Sequence, residues 1–141
     1  SRYRLHSQLD STASNLFANV EDREPVWMHP DAAKKLGLKS GDIAKVTSRR
    51  GSVLAGVIIT DRIRPDTVVI HHGGWYSPEE PGEEGTLDVH GCDNVLTIDI
   101  PSSKLSCGNV ANSTQVKIER WDDELDPIMA HVQPKTVRAD D

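Results

Sequence analysis

The chain has 141 residues, 36% of them hydrophobic, which suits a single domain with one core. Twenty-two acidic against sixteen basic residues give a net charge of −6 and a pI near 5.4, which argues against a protein that binds nucleic acid non-specifically through a basic face. No apolar run approaches the roughly 20 residues of a membrane-spanning helix, and the start has no signal-peptide pattern. We expect the first residues to be mid-chain sequence of a longer protein.

The first third of the chain contains one clear helix signal. Residues 1–24 are polar and irregular, and within them Arg2–Leu9 is expected to begin as a short strand and end in a loop. Pro25–Met28 is a short apolar element that His29–Asp31 breaks. A short helix is then predicted over 31–36, because Gly37 stands where helices commonly end in a left-handed residue.

The middle of the chain is predicted to consist of strands. Ile43–Ser48 alternates between apolar and polar residues, and Val53–Thr60 is almost continuously apolar, typical of a buried strand or a barrel wall. Arg49–Ser52 is expected to join them as a hairpin, and Thr67–Ile70 is a further strand. Residues 71–93 then form a long loop, which in a compact domain is unusual unless it is functional or disordered.

The last third contains two shorter signals. Asn94–Ile98 is apolar again and is taken as a strand, and Thr114–Glu119 alternates as a last strand should. The acidic segment from Trp121 onward is expected to wrap the surface or to be partly disordered. One short helix among about six short strands predicts a small, mainly β barrel.

The long loop opens with the sequence HHGGWY, at residues 71–76. A double glycine lets the backbone approach a ligand closely, and the adjacent Trp75 and Tyr76 offer flat apolar faces with a polar edge. These properties suit a planar, phosphorylated ligand. They equally suit a tight turn whose two aromatic residues cover the end of a barrel.

Other common kinds of site are not indicated. Adjacent His71 and His72 would point to opposite sides of an extended segment, and with His90 and Cys92 they show no tetrahedral-site spacing, so no metal ligands are predicted. The sequence has no GxSxG, GxGxxG or GxxxxGK[ST] motif. Cys92 and Cys107 fit no disulfide framework; either they pair or they pack as small apolar residues.

An ordered series of segments resembles the C-terminal molybdopterin-dinucleotide-binding domain of the DMSO/TMAO/biotin sulfoxide reductase family of molybdenum oxidoreductases. The segments are residues 4–9, 23–32, 36–42, 50–56, 60–65, 71–76, 90–97, 103–105 and 114–119. The chain departs from the usual residues of that family at His72, Cys92, Asp93 and Cys107. The resemblance covers nearly all of residues 4–120.

The resemblance implies a double-psi β-barrel with one or two short helices over residues 1–120. Residues 121–141 are expected to be an acidic C-terminal tail, for which the family has no recognised counterpart. In that family the domain closes over two molybdopterin guanine dinucleotides whose dithiolenes hold one molybdenum. The protein ligand to molybdenum belongs to another domain, so this chain is expected to bind and orient cofactor and to be inactive in oxygen-atom transfer by itself.

The resemblance also implies which residues contact the dinucleotide. Amides can meet the donor and acceptor edges of pterin or guanine in pairs, and a hydroxyl or a glycine N–H can donate to phosphate or carbonyl oxygens. The implied contacts are His6, Ser7, Gln8, His71, His72, Gly73, Gly74, Trp75, Tyr76 and Asn94. The alternatives are a turn residue opening a strand for Asn94 and a surface or core histidine for His6.

The expected partners are the remaining domains of the parent reductase and, in that enzyme, a small S-oxide or N-oxide. By analogy the protein is expected in the bacterial periplasm, although the biotin sulfoxide branch is cytoplasmic. A different function class is a stand-alone double-psi barrel that recruits proteins or substrates, which would need an exposed apolar patch. A third is a small independent enzyme that uses the histidine-rich loop.

Overall fold

A computed structural model of the chain describes residues 7–108, 110–133 and 136. It confirms a mainly β fold, with five strands and two short α-helices in this part of the chain. The elements are α1 (Ala13–Leu16), β1 (Pro25–Met28), α2 (Pro30–Leu36), β2 (Ile43–Thr47), β3 (Ser52–Ile59), β4 (Val68–Ile70) and β5 (Lys117–Arg120). Two 3₁₀ turns, Asp93–Val95 and Ala111–Ser113, lie between β4 and β5.

The strands form one mixed sheet in the order β4-β1-β3-β2-β5. Strands β2 and β3 form the predicted hairpin, with Thr47 opposite Ser52 beside the turn. Strand β1 lies parallel to β3 and antiparallel to β4, and β2 pairs with β5. The central strand β3 is buried along most of its length because it has a neighbour on either side and packed residues on both faces. The prediction of a buried strand at this position is confirmed.

Helix α2 ends where the sequence predicts and begins one residue earlier than predicted, at Pro30. The Nδ1 atom of His29 accepts a hydrogen bond from the Asp31 N–H (3.2 Å), and Pro30 occupies the first turn, where its missing N–H costs nothing. Gly37 ends the helix in the left-handed region, with φ of 69°. The buried Ala33 faces the sheet and fixes the side on which the helix packs.

The core consists of two groups of aliphatic side chains. The larger is built from Val26, Met28, Ala33, Leu38, Ala44, Val46, Val53, Ala55, Val57 and Leu96. The smaller is built from Ile43, Leu54, Leu87 and Val89. Leu87 and Val89 come from the long loop, and Trp121, Leu125 and Ile128 from the acidic segment pack on the same group. The long loop and the segment after β5 are therefore held by the hydrophobic effect.

Three local predictions differ from the structure. The segment 94–98 is not a strand, because its first residues form the 3₁₀ turn Asp93–Val95. The irregular stretch before β1 contains the short helix α1, preceded by Thr12, whose hydroxyl donates to the Leu9 carbonyl (2.6 Å). The last strand begins three residues later than predicted, at Lys117.

The finer fold assignment and the boundary at residue 120 stay predictions. The strand order is that of a mixed, partly parallel sheet. The double-psi barrel that the resemblance implies specifies more of the topology than this strand order does. Among the described residues, none of the helices has the length and apolar character required to span a bilayer.

Candidate functional site

The long loop 71–93 is organised around one buried carboxylate, that of Asp88. Its Oδ1 accepts a hydrogen bond from the Ser77 N–H (2.7 Å), and its Oδ2 accepts from the N–H groups of Gly91 and Cys92 (2.7 Å each). The Asp88 backbone is tied to strand β3, because the Leu54 N–H donates to its carbonyl (2.8 Å) and its own N–H donates to Ser52 (3.1 Å). The Asp88 side chain thus joins Ser77 to Gly91 and Cys92, and the Asp88 backbone joins the loop to the central strand β3.

The electrostatics of Asp88 combine two opposing effects. Burial raises the pKa of the Asp88 carboxyl, while the three backbone N–H donors lower it. The side chain is fully buried, so its charged form depends on those donors in place of water. The loop is therefore a preorganised structure.

The glycines of the loop allow it to approach β1 closely. A Cβ on Gly74 would lie 2.8 Å from Cγ of Glu24, and one on Gly91 would lie 2.7 Å from Cβ of Glu24. Glu24 is itself buried, and its N–H donates to the His90 carbonyl (2.8 Å). Gly74 is therefore required for the close packing of the loop against Glu24. Its residue type alone does not indicate this role.

The N-terminal segment meets the loop at Trp75. The indole Nε1–H donates to the Ser7 carbonyl (2.7 Å), and the Trp75 backbone N–H lies 3.3 Å from Oδ2 of Asp10. Gln8 is exposed beside these contacts. The structure therefore brings together Ser7 and Trp75, two of the predicted contact residues that lie 68 residues apart. His6, predicted with them, lies outside the described residues.

Behind Trp75 lies a buried cluster of Asp10, His90 and His131. The Nε2–H of His131 donates to Asp10 Oδ2 (2.7 Å), and His90 Nδ1 lies 3.8 Å from the same oxygen. His90 Nδ1 is also 2.9 Å from the Trp75 carbonyl, which only accepts, so Nδ1 carries the proton. Burial lowers the pKa of His90, against the raising effect of the Asp10 carboxylate, and the neutral form is favoured.

The other end of the loop holds His71, His72 and Asn94. His72 Nδ1 pairs with Oδ2 of Asp93 (3.0 Å), which places His72 beside the exposed Asn94. The ring of His71 packs edge-on against that of Trp27, with centroids 4.9 Å apart. The indole Nε1–H of Trp27 is buried and has no acceptor among the described residues.

The aromatic residues of the HHGGWY segment are open to solvent on one side. Trp75 is 37% exposed and Tyr76 50% exposed, whereas Gly73 and Gly74 beneath them are buried. Both side chains therefore keep solvent-accessible surface next to a buried glycine pair. They can stack on a planar ligand, with the polar groups of Ser7 and Gln8 close by.

The two cysteines are unpaired and differ in accessibility. Cys92 is buried, which raises the pKa of its thiol to about 11, and Cys107 is exposed. At pH 8 only about one Cys92 thiol in a thousand is therefore ionised. Packing is the right interpretation for Cys92, and the pairing alternative does not hold.

We expect a disulfide reagent such as Ellman's reagent to modify one thiol per folded chain quickly at pH 8. The fast thiol is Cys107, because only the thiolate is nucleophilic and burial blocks the other. The fast phase should disappear in Cys107→Ser and persist in Cys92→Ser. Two fast thiols in the folded wild-type chain would contradict the buried position of Cys92.

Sequence reasoning missed three residues of this region. Asp10, Asp88 and His131 are not in any motif, and the hydrogen bonds that they make span from 3 to 121 positions of the chain. The only local signal was for Asp88, an acidic residue between two apolar residues that are both buried.

Comparison with known proteins identifies relatives over most of the chain. Residues 1–115 match the family described as "Molydopterin dinucleotide binding domain". Trimethylamine-N-oxide reductase of Haemophilus influenzae is 46% identical over 136 residues, which are 96% of this chain and 16% of that protein. Dimethyl sulfoxide/trimethylamine N-oxide reductase of Rhodobacter capsulatus is 39% identical over 132 residues, 94% of this chain and 16% of that protein.

A solved structure supports the same fold. Acetylene hydratase from Pelobacter acetylenicus superposes with a TM-score of 0.63 at 20% identity, covering 86% of this chain and 17% of that one. At this identity the likeness shows the fold alone. The chain spans about 16% of the length of the reductases named above.

Proposed function

Because this chain belongs to the family of molybdopterin-dinucleotide-binding domains, we propose that it binds and orients bis(molybdopterin guanine dinucleotide) within an S-oxide or N-oxide reductase. The observation that carries the proposal is the hydrogen-bonded loop 71–93, which holds the partly exposed Trp75 and Tyr76 and is joined to Ser7 by a hydrogen bond. The whole reductase activity is part of this proposal, since the chain spans only a fraction of its relatives.

The residues present fit such a cofactor. Trp27 offers a buried N–H donor without an acceptor in the described part of the chain, at the His71 end of the loop. Ser7, Gln8 and Asn94 are exposed and supply hydroxyl and amide groups for the edges of a guanine or pterin. When bound, the cofactor supplies molybdenum redox chemistry for oxygen-atom transfer. The residues of this chain hold and orient the dinucleotide, and the isolated chain is proposed to have no turnover.

The remaining domains are the proposed partners. Leu16 and Phe17 of the α1 region are 41% and 94% exposed, which fits a surface that another part of a longer protein covers. By analogy with the reductases a periplasmic location is proposed, and fractionation of cells expressing the full-length protein tests it. The stand-alone interaction module is the competing function, and the same exposed apolar residues would serve it.

An NMR titration of the chain with GDP, and with ADP as control, tests the cofactor function. Saturable amide shifts selective for GDP are expected at Ser7, Gln8, Gly73–Tyr76 and Asn94, because guanine offers a different donor pattern from adenine at its polar edge. Equal responses to GDP and ADP would contradict guanine selectivity. No response at millimolar GDP would favour the interaction module.

We expect Tyr76→Ala to weaken GDP binding about tenfold, because stacking of a base on an aromatic ring contributes roughly 1–3 kcal/mol. Tyr76 is half exposed, so the change should leave the fold intact. The matched control is Phe17→Ala, which removes an exposed aromatic residue that is not part of the loop. Dissociation constants from the titration should change in the first variant and stay the same in the second. The opposite pattern would place the nucleotide elsewhere.

A further inference from the structure

We propose that Asp10, His90 and His131 form a binding site for one divalent transition-metal ion of the zinc class. One potential ligand atom from each residue lies within 4.8 Å of the other two. Asp10 and His90 have no exposed surface, and His131 is mostly covered. Two imidazoles and one carboxylate are the ligand set of many zinc sites that keep a fourth position open.

The hydrogen bonding of His90 supports a ligand role. Its Nδ1–H donates to the Trp75 carbonyl (2.9 Å), which fixes the tautomer and leaves the lone pair on Nε2. That Nε2 atom is buried and has no partner among the described residues. A histidine that ligates a metal almost always donates its other ring N–H to a carbonyl or a carboxylate. An unused buried acceptor is otherwise unfavourable.

The charge of the cluster favours a cation. Asp10 is a fully buried carboxylate, and its Oδ2 accepts hydrogen bonds from the Trp75 N–H and from His131, so a cation at this position would be attracted to a buried negative charge. On binding, the metal would replace the hydrogen bond between His131 Nε2 and Asp10, and the neutral imidazole of His131 would carry its single proton on Nδ1 instead.

The distances require only small movements of the side chains. Zinc–nitrogen and zinc–oxygen bonds of about 2.0–2.2 Å place tetrahedral ligand atoms about 3.4 Å apart. The His131–Asp10 distance of 2.7 Å would open, and the His90 ring would shift to bring its free Nε2 to the ion while Nδ1–H stays on the Trp75 carbonyl. Nitrogen and carboxylate donors of this kind select zinc, nickel or cobalt over magnesium and calcium.

A route for the ion exists on the His131 side. His131 lines a cavity of about 420 Å³ whose wall also includes Asp22 and Asp126. The three ligands come from three separate segments, namely the residues before α1, the long loop and the segment after β5. A bound ion would therefore cross-link these segments around Trp75, whose ring packs against His131 with centroids 5.2 Å apart.

Titration of the metal-stripped 141-residue chain with Co²⁺ tests the site, because tetrahedral Co²⁺ has strong visible absorption and Zn²⁺ should displace it. We expect one equivalent to bind, and affinity to fall roughly 100-fold in His131→Gln and in Asp10→Asn, the upper range for loss of a group that supports a metal. Asp10→Asn keeps an oxygen that can accept from Trp75 and His131. Circular dichroism verifies that both variants are folded, and Zn²⁺ should raise the melting temperature of the wild-type chain only.

The matched control is His29→Gln, which removes a histidine outside every proposed site that also lies beside an aspartate. It should bind Co²⁺ as the wild-type chain does. Failure of the wild-type chain to bind, or unchanged binding in both cluster variants, would overturn the proposal. Loss of binding in His29→Gln alone would overturn it as well, by moving the ion to the start of α2.

Discussion

Replacing Asp88 by alanine is expected to lower the free energy of unfolding by roughly 3–9 kcal/mol, since three backbone N–H groups would lose their acceptor. Each unsatisfied buried donor costs about 1–3 kcal/mol, and small domains have only about 5–15 kcal/mol of stability in total. Chemical denaturation followed by circular dichroism measures the change. The loop is also expected to lose its nucleotide response, because Ser77 and Gly91 would no longer be held together.

Two further variants separate this effect from the loss of a charge. Asp61→Ala removes an exposed aspartate and should change stability by no more than about 0.5 kcal/mol. Asp88→Asn keeps one carbonyl oxygen for Ser77 but turns a donor amide toward the N–H groups of Gly91 and Cys92. It should therefore destabilise the chain almost as much as alanine does. A stability of Asp88→Asn equal to that of the wild type would show that these hydrogen bonds do not hold the loop.

Replacing Gly91 by alanine is expected to destabilise the chain by roughly 2–5 kcal/mol. Gly91 has φ of 99°, a region that costs residues with a Cβ about 1–2 kcal/mol, and overpacking a buried site adds about 1–3 kcal/mol. The new methyl group would lie 2.7 Å from Cβ of Glu24 and 3.2 Å from the Leu54 carbonyl. Neither neighbour is the far end of a flexible side chain, so the backbone would have to move.

The matched control for this variant is Gly82→Ala. Gly82 has nearly the same φ, 93°, and a Cβ there would meet nothing within 4 Å. Both variants therefore carry the backbone cost, and only Gly91→Ala carries the packing cost. Thermal or chemical unfolding of the two variants should differ by about 1–3 kcal/mol. Equal destabilisation would mean that the loop does not lie against Glu24 as closely as the structure shows.

Much of the architecture could be predicted from local sequence. The alternation of Ile43–Thr47, the apolar run of β3 and the Gly37 that ends α2 are each dictated by periodicity or by backbone stereochemistry within a few residues. The segment 94–98 was predicted wrongly because a short apolar run suits a buried turn as well as a strand. Its Leu96 is indeed a core residue, but it reaches the core from a 3₁₀ turn.

The candidate site was predictable only in part. The HHGGWY segment was identified from residue types, and the resemblance added Ser7, Gln8 and Asn94, whose roles in binding stay predictions. The structure gives a second reason why residue 74 is a glycine, namely that it packs against Glu24. The residue type alone does not distinguish this packing from close approach to a ligand. The contact of Trp75 with Ser7 required knowledge of how distant segments meet.

The sequence by itself determined the mainly β class, the positions of most strands and the membership of a cofactor-binding family, because these depend on periodicity and on an ordered series of short segments. Only the tertiary structure decided that the Asp88 carboxylate joins separate parts of the long loop by hydrogen bonds. It also decided that Asp10, His90 and His131 lie in one buried cluster. The physical reason is that a buried polar group takes whichever partner the fold brings within about 3 Å, and separation along the chain places no limit on that choice.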